Sequence, residues 1–262
     1  MSFEFNKTNM TTDFPYIISQ YIREYDISKC NINMLLLGNK IDKKLYDYLY
    51  NADKFYREKY IGNMIKEDSS VYRIIKDGII KYRNILFKEN NIEESDIVSI
   101  KNDAVFIVNK ILDHTIFDDI IEFKNKNVYT SFLKVGKLEL YYNINTDIID
   151  VKGINDIKLQ KHNNYLLDLI KTLIYLIEMN DLSTAVSIIN DFYFNYINYN
   201  LDYGYFRTFN SDSLFIINDI QTYTFDVPII EDKSRYNISE NIRFLMEFNK
   251  ILNSILMSKI RR

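Results

Sequence analysis

The side chain in this sequence that is best placed to do chemistry is Asp103. The run from Ile97 to Val108 is apolar except for Ser99 and for Lys-Asn-Asp at 101–103. β-Branched residues on both sides of a short polar break predict a β-hairpin, whose tight turn gives the Asp103 carboxylate little conformational freedom. Aspartate is also common in turns because its side chain bonds the backbone. The sequence therefore leaves open whether Asp103 has a chemical or a structural role.

Other reactive groups offer fewer options. Cys30 is the only cysteine, which excludes an internal disulfide framework and a cysteine metal cage. His114 and His162 lack the spacing of zinc ligands, and a nucleophile paired with histidine is disfavoured. Asn-Lys-Ile-Asp at 39–42 has the NKxD spacing of a GTPase base-recognition motif. The chain has no GxxxxGK[ST] phosphate loop, however, so we interpret this match as chance.

The composition is that of a globular protein without a global attraction to nucleic acid. The 262 residues are 47% hydrophobic and 26% charged, and 33 Lys and Arg against 36 Asp and Glu give a net charge of −3. Any site for a polyanion must therefore be a local patch. Tyr and Phe number 22 and 17, whereas Gly and Pro number only 6 and 2. This bias indicates an A/T-rich genome, such as that of a virus or phage.

Helices are expected to precede the hairpin. Residues 17–25 carry apolar side chains at helical spacing after Asp13, which predicts a helix. Asp68 is expected to cap a second helix, whose apolar side chains fall on one face between 71 and 86. The cations on the flanks of this helix, Arg83 among them, are expected to be solvated.

Strands and then further helices follow the hairpin. Short apolar runs predict antiparallel strands at 120–123, 128–135, 137–142 and 147–153. From His162 onward the spacing of apolar residues becomes helical. We therefore predict an α+β fold: an antiparallel, palm-like sheet with flanking helices, followed by a mainly helical, thumb-like subdomain. The palm-like domain is expected to span 1–155, with the hairpin at 97–108 as its centre, and the helical subdomain to span 156–262.

This order of elements resembles the C-terminal palm and thumb of family B DNA polymerases over about residues 70 to 205. In that family a YGDTDS hairpin turn binds catalytic Mg²⁺, and downstream strands carry lysines before a VKG sequence and a helical thumb. Asp103 matches the acidic turn, so the resemblance implies that Asp103 is both a catalytic residue and a metal ligand. It further implies a DNA-contacting basic face, made of Lys101, Lys134, Lys137 and Lys152.

Parts of the polymerase site have no match in this sequence. The turn holds one acidic residue where the family has two, and no DxxSLYP string supplies the upstream palm aspartate. The Kx3NSxYG nucleotide-binding helix is not recognisable. Because a single carboxylate binds Mg²⁺ weakly, we expect one of two things. The chain is either a piece of a split polymerase, completed by a second chain that supplies the missing carboxylate, or a degenerate module that binds DNA or a partner without catalysis.

Two hypotheses of function follow. In the first, a DNA-polymerase-related palm and thumb module binds primer–template DNA and needs Mg²⁺ only if it is catalytic. In the second, the chain is a non-catalytic viral structural or host-interaction protein. A basic face around Asp103 would favour the first hypothesis, and scattered lysines the second. The sequence shows no signal peptide and no run approaching the ~18 apolar residues that cross a membrane. It therefore predicts an intracellular protein without membrane contact, in the host cytoplasm if the chain is viral.

Overall fold

The computed structural model describes residues 3–136, 138–153, 167–198, 200–201, 215–217, 220–222, 246 and 249–257. It contains an antiparallel sheet with flanking helices, which confirms the predicted α+β fold. The part around 155 where the sequence predicts a domain boundary (154–166), the residue Lys137 and most of 202–245 lie outside the described residues.

Strands and helices occupy most of the described chain. The strands are β1 Asn9–Thr11, β2 Tyr16–Ile27, β3 Ile97–Lys101, β4 Ala104–Val108, β5 Ile116–Phe117, β6 Ile121–Val135, β7 Leu138–Asn143, β8 Ile148–Lys152, β9 Phe215–Ile217 and β10 Ile220–Thr222. The helices are α1 Cys30–Leu37, α2 Lys43–Asn51, α3 Lys54–Glu67, α4 Ser69–Glu89, α5 Asp168–Glu178 and α6 Leu182–Ile197. Residues 249–257 are also helical.

The described residues form two compact units. The first comprises Met1–Asp13 and Gln20–Val128, and the second Phe14–Ser19 and Tyr129–Arg262. The long strands β2 and β6 each contribute residues to both units.

In the first unit the strand order is β1-β3-β4-β2-β6, with β5 paired to β6. Helices α1 to α4 pack on this sheet through one apolar core. Helix α4 shows the pattern that drives this packing: Val71, Ile75, Ile79 and Leu86 recur on one face and are all buried, as an amphipathic helix requires. The Asp68 side chain caps α4 by accepting a hydrogen bond of 2.8 Å from the Ser70 amide, as predicted.

In the second unit β2, β6, β7 and β8 follow one another in the sheet, and α5 and α6 pack on it. Leu173 and Ile177 of α5 and Ile189 of α6 share a core with Leu133 and Leu140 of the sheet. The predicted strands at 128–135, 137–142 and 147–153 correspond to β6, β7 and β8. The helices predicted after residue 162 correspond to α5 and α6 where the chain is described.

The helix predicted at 17–25 is wrong, because this segment is strand β2. Its sequence, YIISQYIREYDI, is rich in β-branched and aromatic residues that fit a half-buried pleated surface. Within the first unit β2 lies between β4 and β6, so sheet pairing on both sides outweighs the helical spacing of its apolar residues.

Candidate functional site

Asp103 lies in the tight turn that the sequence predicts. Lys101 of β3 pairs with Ala104 of β4, which leaves Asn102 and Asp103 as a two-residue loop. Asn102 adopts a left-handed conformation with φ of 54°, which asparagine tolerates better than most residues. The hairpin at 97–108 is therefore confirmed.

A buried arginine holds this turn in place. Arg83 of α4 is only 1% exposed, so the expectation that it is solvated is wrong. Its guanidinium donates hydrogen bonds to the carbonyl oxygens of Phe5 at 2.8 Å, Lys7 at 2.6 Å and Asn102 at 3.4 Å. Burial lowers the pKa of Arg83 to about 10, which leaves it charged at neutral pH. One cation thus fixes both the N-terminal segment and the hairpin tip.

Strand β2 brings a second carboxylate, Asp26, to Asp103. Asp26 pairs with Ala104 in the β2–β4 register, and the amide of the next residue, Ile27, donates to the Asp103 carbonyl at 3.3 Å. Burial first, and then the Asp26 charge, raise the pKa of Asp103 to about 6, because two adjacent carboxylates resist joint ionisation.

The two carboxyl groups line an open cleft of about 430 Å³ within the first unit. Five cations line the same cleft against three acids, so the walls carry more positive than negative charge. The cations are Lys29, Lys54, Arg57, Lys124 and Lys126, and the acids are Asp26, Glu58 and Asp103.

Lys126 and Lys29 show how the cations are arranged around this pair. The Lys126 ammonium lies 3.6 Å from an Asp26 oxygen and 3.9 Å from a Glu24 oxygen, and its charge opposes the rise in the pKa of Asp103. Lys29 adopts a left-handed φ of 50°, and this turn leads the chain from β2 into α1 beside the cleft.

Cys30, the first residue of α1, also lines the cleft, but its surroundings favour the protonated thiol. Burial, followed by the charges of Asp103 and Asp26, raises its pKa well above the usual value. A thiolate is the nucleophilic form of cysteine. The surroundings of Cys30 therefore disfavour a nucleophilic role, in agreement with the sequence.

The predicted DNA-contacting lysines have local partners in the described residues. Lys101 is not among the residues that line the cleft, and its ammonium donates to the Thr11 hydroxyl at 3.1 Å. In the second unit Lys134 lies opposite Glu139 in the β6–β7 register, and Glu139 lies opposite Lys152 in the β7–β8 register. The Lys152 ammonium also lies 2.6 Å from an Asp150 oxygen. A phosphate-binding role for Lys101, Lys134 and Lys152 stays a prediction, as it does for Lys137.

Asp26 is the functional candidate that sequence reasoning missed. The segment was expected to be a helix, and Asp26 has no neighbouring motif that draws attention to it. The available signal is its place at the end of the β-branched and aromatic run of β2, directly before Ile27 and Ser28. A carboxylate at the end of a central strand can meet one on the tip of a neighbouring hairpin, but only the strand pairing shows which two meet.

The described residues contain neither a larger cluster of metal ligands nor a membrane-spanning helix. No group of three or more His, Cys, Asp or Glu side chains is arranged there to hold a metal ion. The described helices include none that is long and apolar enough to cross a membrane.

One protein family matches the chain over nearly its whole length. The family model described as Bacteriophage PBS1 gene 130 protein matches residues 2–254. No curated protein matches the chain.

Proposed function

The chain belongs to the family of the bacteriophage PBS1 gene 130 protein, and we propose that it is a polymerase-related, palm-like module that binds nucleic acid in the cleft of its first unit. The observation that carries the proposal is the meeting of Asp26 and Asp103 from neighbouring strands at that cleft. The resemblance to family B polymerases calls for an upstream aspartate on a strand and a second one on a hairpin turn. Asp26 supplies the first of these from within the same chain.

Asp26 bears on the expectation of a second chain. That expectation rested on the lack of a second carboxylate in the sequence. Because Asp26 lies in register beside the Asp103 turn and lines the same cleft, the pair would be complete without a split polymerase. We therefore favour a module that carries its own carboxylate pair.

The pair suits a divalent cation such as Mg²⁺. Mg²⁺ prefers oxygen ligands and commonly binds through one or two carboxylates while it keeps several waters. Asp26 and Asp103 provide such oxygen ligands. A bound cation would also neutralise the repulsion between their two carboxylates. A bound Mg²⁺ would supply positive charge for a phosphate group, while both residues would act as its ligands with Asp103 ionised.

The cations of the cleft suit a phosphate backbone. Lys54, Lys124 and Lys126 have exposed side chains, and ammonium groups pair with backbone phosphates irrespective of base sequence. Lys126 pairs with both Asp26 and Glu24, whereas Lys124 pairs with Glu122 at 3.3 Å. We therefore assign phosphate contacts first to Lys54 and then to Lys124.

The first test of the proposal is metal binding. Titration of the full chain with Mg²⁺ or Mn²⁺, followed by calorimetry, should show binding that is lost in both Asp26→Asn and Asp103→Asn. Asp113→Asn is the matched control, because Asp113 is an exposed acid of the same unit that does not line the cleft. Binding that survives in both cleft variants would contradict the assignment of the metal to this pair.

The second test is binding to a primer–template duplex by fluorescence anisotropy across a salt series. Removal of two phosphate-contacting cations, in Lys54→Gln/Lys124→Gln, should lower the dependence of log K on log salt by about 2, since each contact contributes about 0.9. Lys88→Gln removes an exposed lysine elsewhere in the unit and should leave the slope unchanged. A primer-extension assay on the same preparation would then report whether binding leads to nucleotidyl transfer.

If neither metal nor duplex binds at low salt, the proposal fails. The alternative of a non-catalytic viral structural or host-interaction protein would then account for the fold without any site.

A further inference from the structure

Helices α2 and α3 expose an unusual amount of aromatic surface. Phe55 is 78% exposed and Tyr48 58% exposed, and Tyr50 and Tyr56 are also exposed. Burying a large ring removes apolar area from water and stabilises the fold, so rings normally turn inward. Helix α4 of the same unit follows this rule along its apolar face, whereas α2 and α3 present rings to solvent.

The tyrosine rings among them are held in place by contacts. The rings of Tyr48 and Tyr56 meet edge to face with centroids 6.1 Å apart, and their hydroxyl groups are hydrogen-bonded at 3.3 Å. Tyr50 packs on Tyr46 at 5.5 Å, and the Tyr46 hydroxyl donates to the buried Asn33 side chain at 3.0 Å. The tyrosines of this surface are therefore held in place before any ligand binds.

The same surface is continuous with the cation-lined cleft. Lys29, which lines the cleft, holds its ammonium 3.1 Å from the centroid of the Tyr50 ring and donates to the Tyr50 carbonyl at 2.7 Å. On α3, Phe55 and Tyr56 lie in sequence between Lys54 and Arg57, both of which line the cleft. Exposed rings thus neighbour cations of the cleft, directly at Tyr50 and in sequence on α3.

The proximity of rings to cations indicates the class of ligand. A protein partner that covered these rings would also desolvate the lysines beside them, which is costly without paired acids. An unpaired nucleic-acid strand offers both complements, because its bases stack on aromatic rings and its phosphates pair with cations. A base-paired duplex keeps its bases stacked inside the helix and cannot offer their faces.

We propose that the α2–α3 surface binds a single-stranded segment of nucleic acid, with bases stacked on Tyr48, Phe55 and Tyr56 and phosphates directed to the cations of the cleft. This inference rests on the proposed function and deepens it, because it assigns the unpaired part of the nucleic acid to a surface next to the carboxylate pair.

The test compares two oligonucleotides on the full chain by anisotropy: dT12 and a 12-mer of abasic sites that keeps the phosphates but has no bases. The wild-type chain should bind dT12 at least about fivefold more tightly than the abasic strand, since one stacked base contributes roughly 1–3 kcal/mol. Phe55→Leu and Tyr48→Leu should weaken dT12 binding by about fivefold or more and leave binding of the abasic strand unchanged. Phe194→Leu is the matched control, because Phe194 is an exposed helical phenylalanine of the second unit.

A stacked 2-aminopurine in the middle of the strand gives an independent readout. Its fluorescence should be quenched on binding to the wild-type chain and recover in Phe55→Leu. Equal affinity for dT12 and the abasic strand would overturn the stacking surface while leaving the charged cleft intact. Absence of binding to any nucleic acid would overturn both proposals. Self-association that Phe55→Leu abolishes in sedimentation, with dT12 binding unchanged, would instead assign the rings to a second copy of the chain.

Discussion

Replacement of Asp103 by asparagine should stabilise the protein at alkaline pH and have little effect at acidic pH. Asparagine resembles the protonated carboxyl group in shape and carries no charge. It therefore keeps the neutral state of residue 103 at every pH. The wild-type chain must instead ionise a group whose pKa is raised to about 6 by burial and by the Asp26 charge.

The sign and size follow from linkage. A carboxyl group with a raised folded-state pKa favours the folded state below its unfolded pKa, and this contribution is lost as the pH rises through the folded pKa. A rise from 3.8 to about 6 corresponds to about 3 kcal/mol at about 1.4 kcal/mol per pKa unit. The free energy of unfolding of Asp103→Asn should thus be higher than that of the wild-type chain by about 3 kcal/mol at pH 8, and by well under ~1 kcal/mol at pH 4.

The assay is urea unfolding of both proteins at half-unit steps from pH 4 to pH 8, without divalent cations. Because the two chains differ at one position, the difference between their free energies of unfolding isolates the ionisation of Asp103. Asp113→Asn, at an exposed acid of the same unit, should track the wild-type chain throughout. A difference that stays constant between pH 5 and pH 8 would refute the raised pKa of Asp103.

The other predictions concern the groups that hold the first unit together. Arg83→Met leaves the three carbonyl oxygens that Arg83 bonds without their donor, and should lower the free energy of unfolding in urea by about 2–4 kcal/mol. Arg73→Met, at an exposed position of the same helix, should change it by no more than about 0.5 kcal/mol. Equal effects of the two variants would contradict the role of Arg83 in holding the hairpin turn. Asp68→Asn should show the opposite pH dependence to Asp103→Asn, because the hydrogen bond from Lys40 lowers the pKa of Asp68. The variant should be less stable than wild type at pH 7, and thermal unfolding should show the deficit shrink as the pH falls below about 4, the usual pKa of aspartate; a deficit independent of pH would contradict this ion pair.

Local sequence signals were sufficient for the hairpin and for several helices. The hairpin at 97–108 combines β-branched residues with a two-residue polar turn, and both signals lie within a dozen residues. Asp68 marks a helix start because its carboxylate accepts a hydrogen bond from a nearby backbone amide, and it does so in the structure. Features of this kind depend on neighbours in sequence, so the sequence contains them.

The carboxylate pair was not predictable in the same way. Asp26 and Asp103 are 77 positions apart, and they meet because β2 pairs with β4. The apolar residues of β2 also fit a helical face, so local spacing favoured the wrong element and removed Asp26 from consideration. Arg83 shows the same limit, since it is bonded to carbonyl oxygens of Phe5 and Lys7, which lie 78 and 76 positions away in sequence.

The contrast between Arg83 and the carboxylate pair indicates which of them serves folding. Arg83 is buried with three acceptors, which is how a charge is stabilised inside a protein. Asp26 and Asp103 instead stand together in a partly buried position, and the raised pKa of Asp103 means that its ionised form opposes folding at neutral pH. A divalent cation at the pair would remove that opposition, so the stability that Asp103→Asn gains without metal is also part of the free energy available for binding one. The stability of Asp103→Asn and the metal affinity of the pair are therefore linked. If Asp103→Asn gains no stability at pH 8, we expect correspondingly weaker binding of a cation at this position.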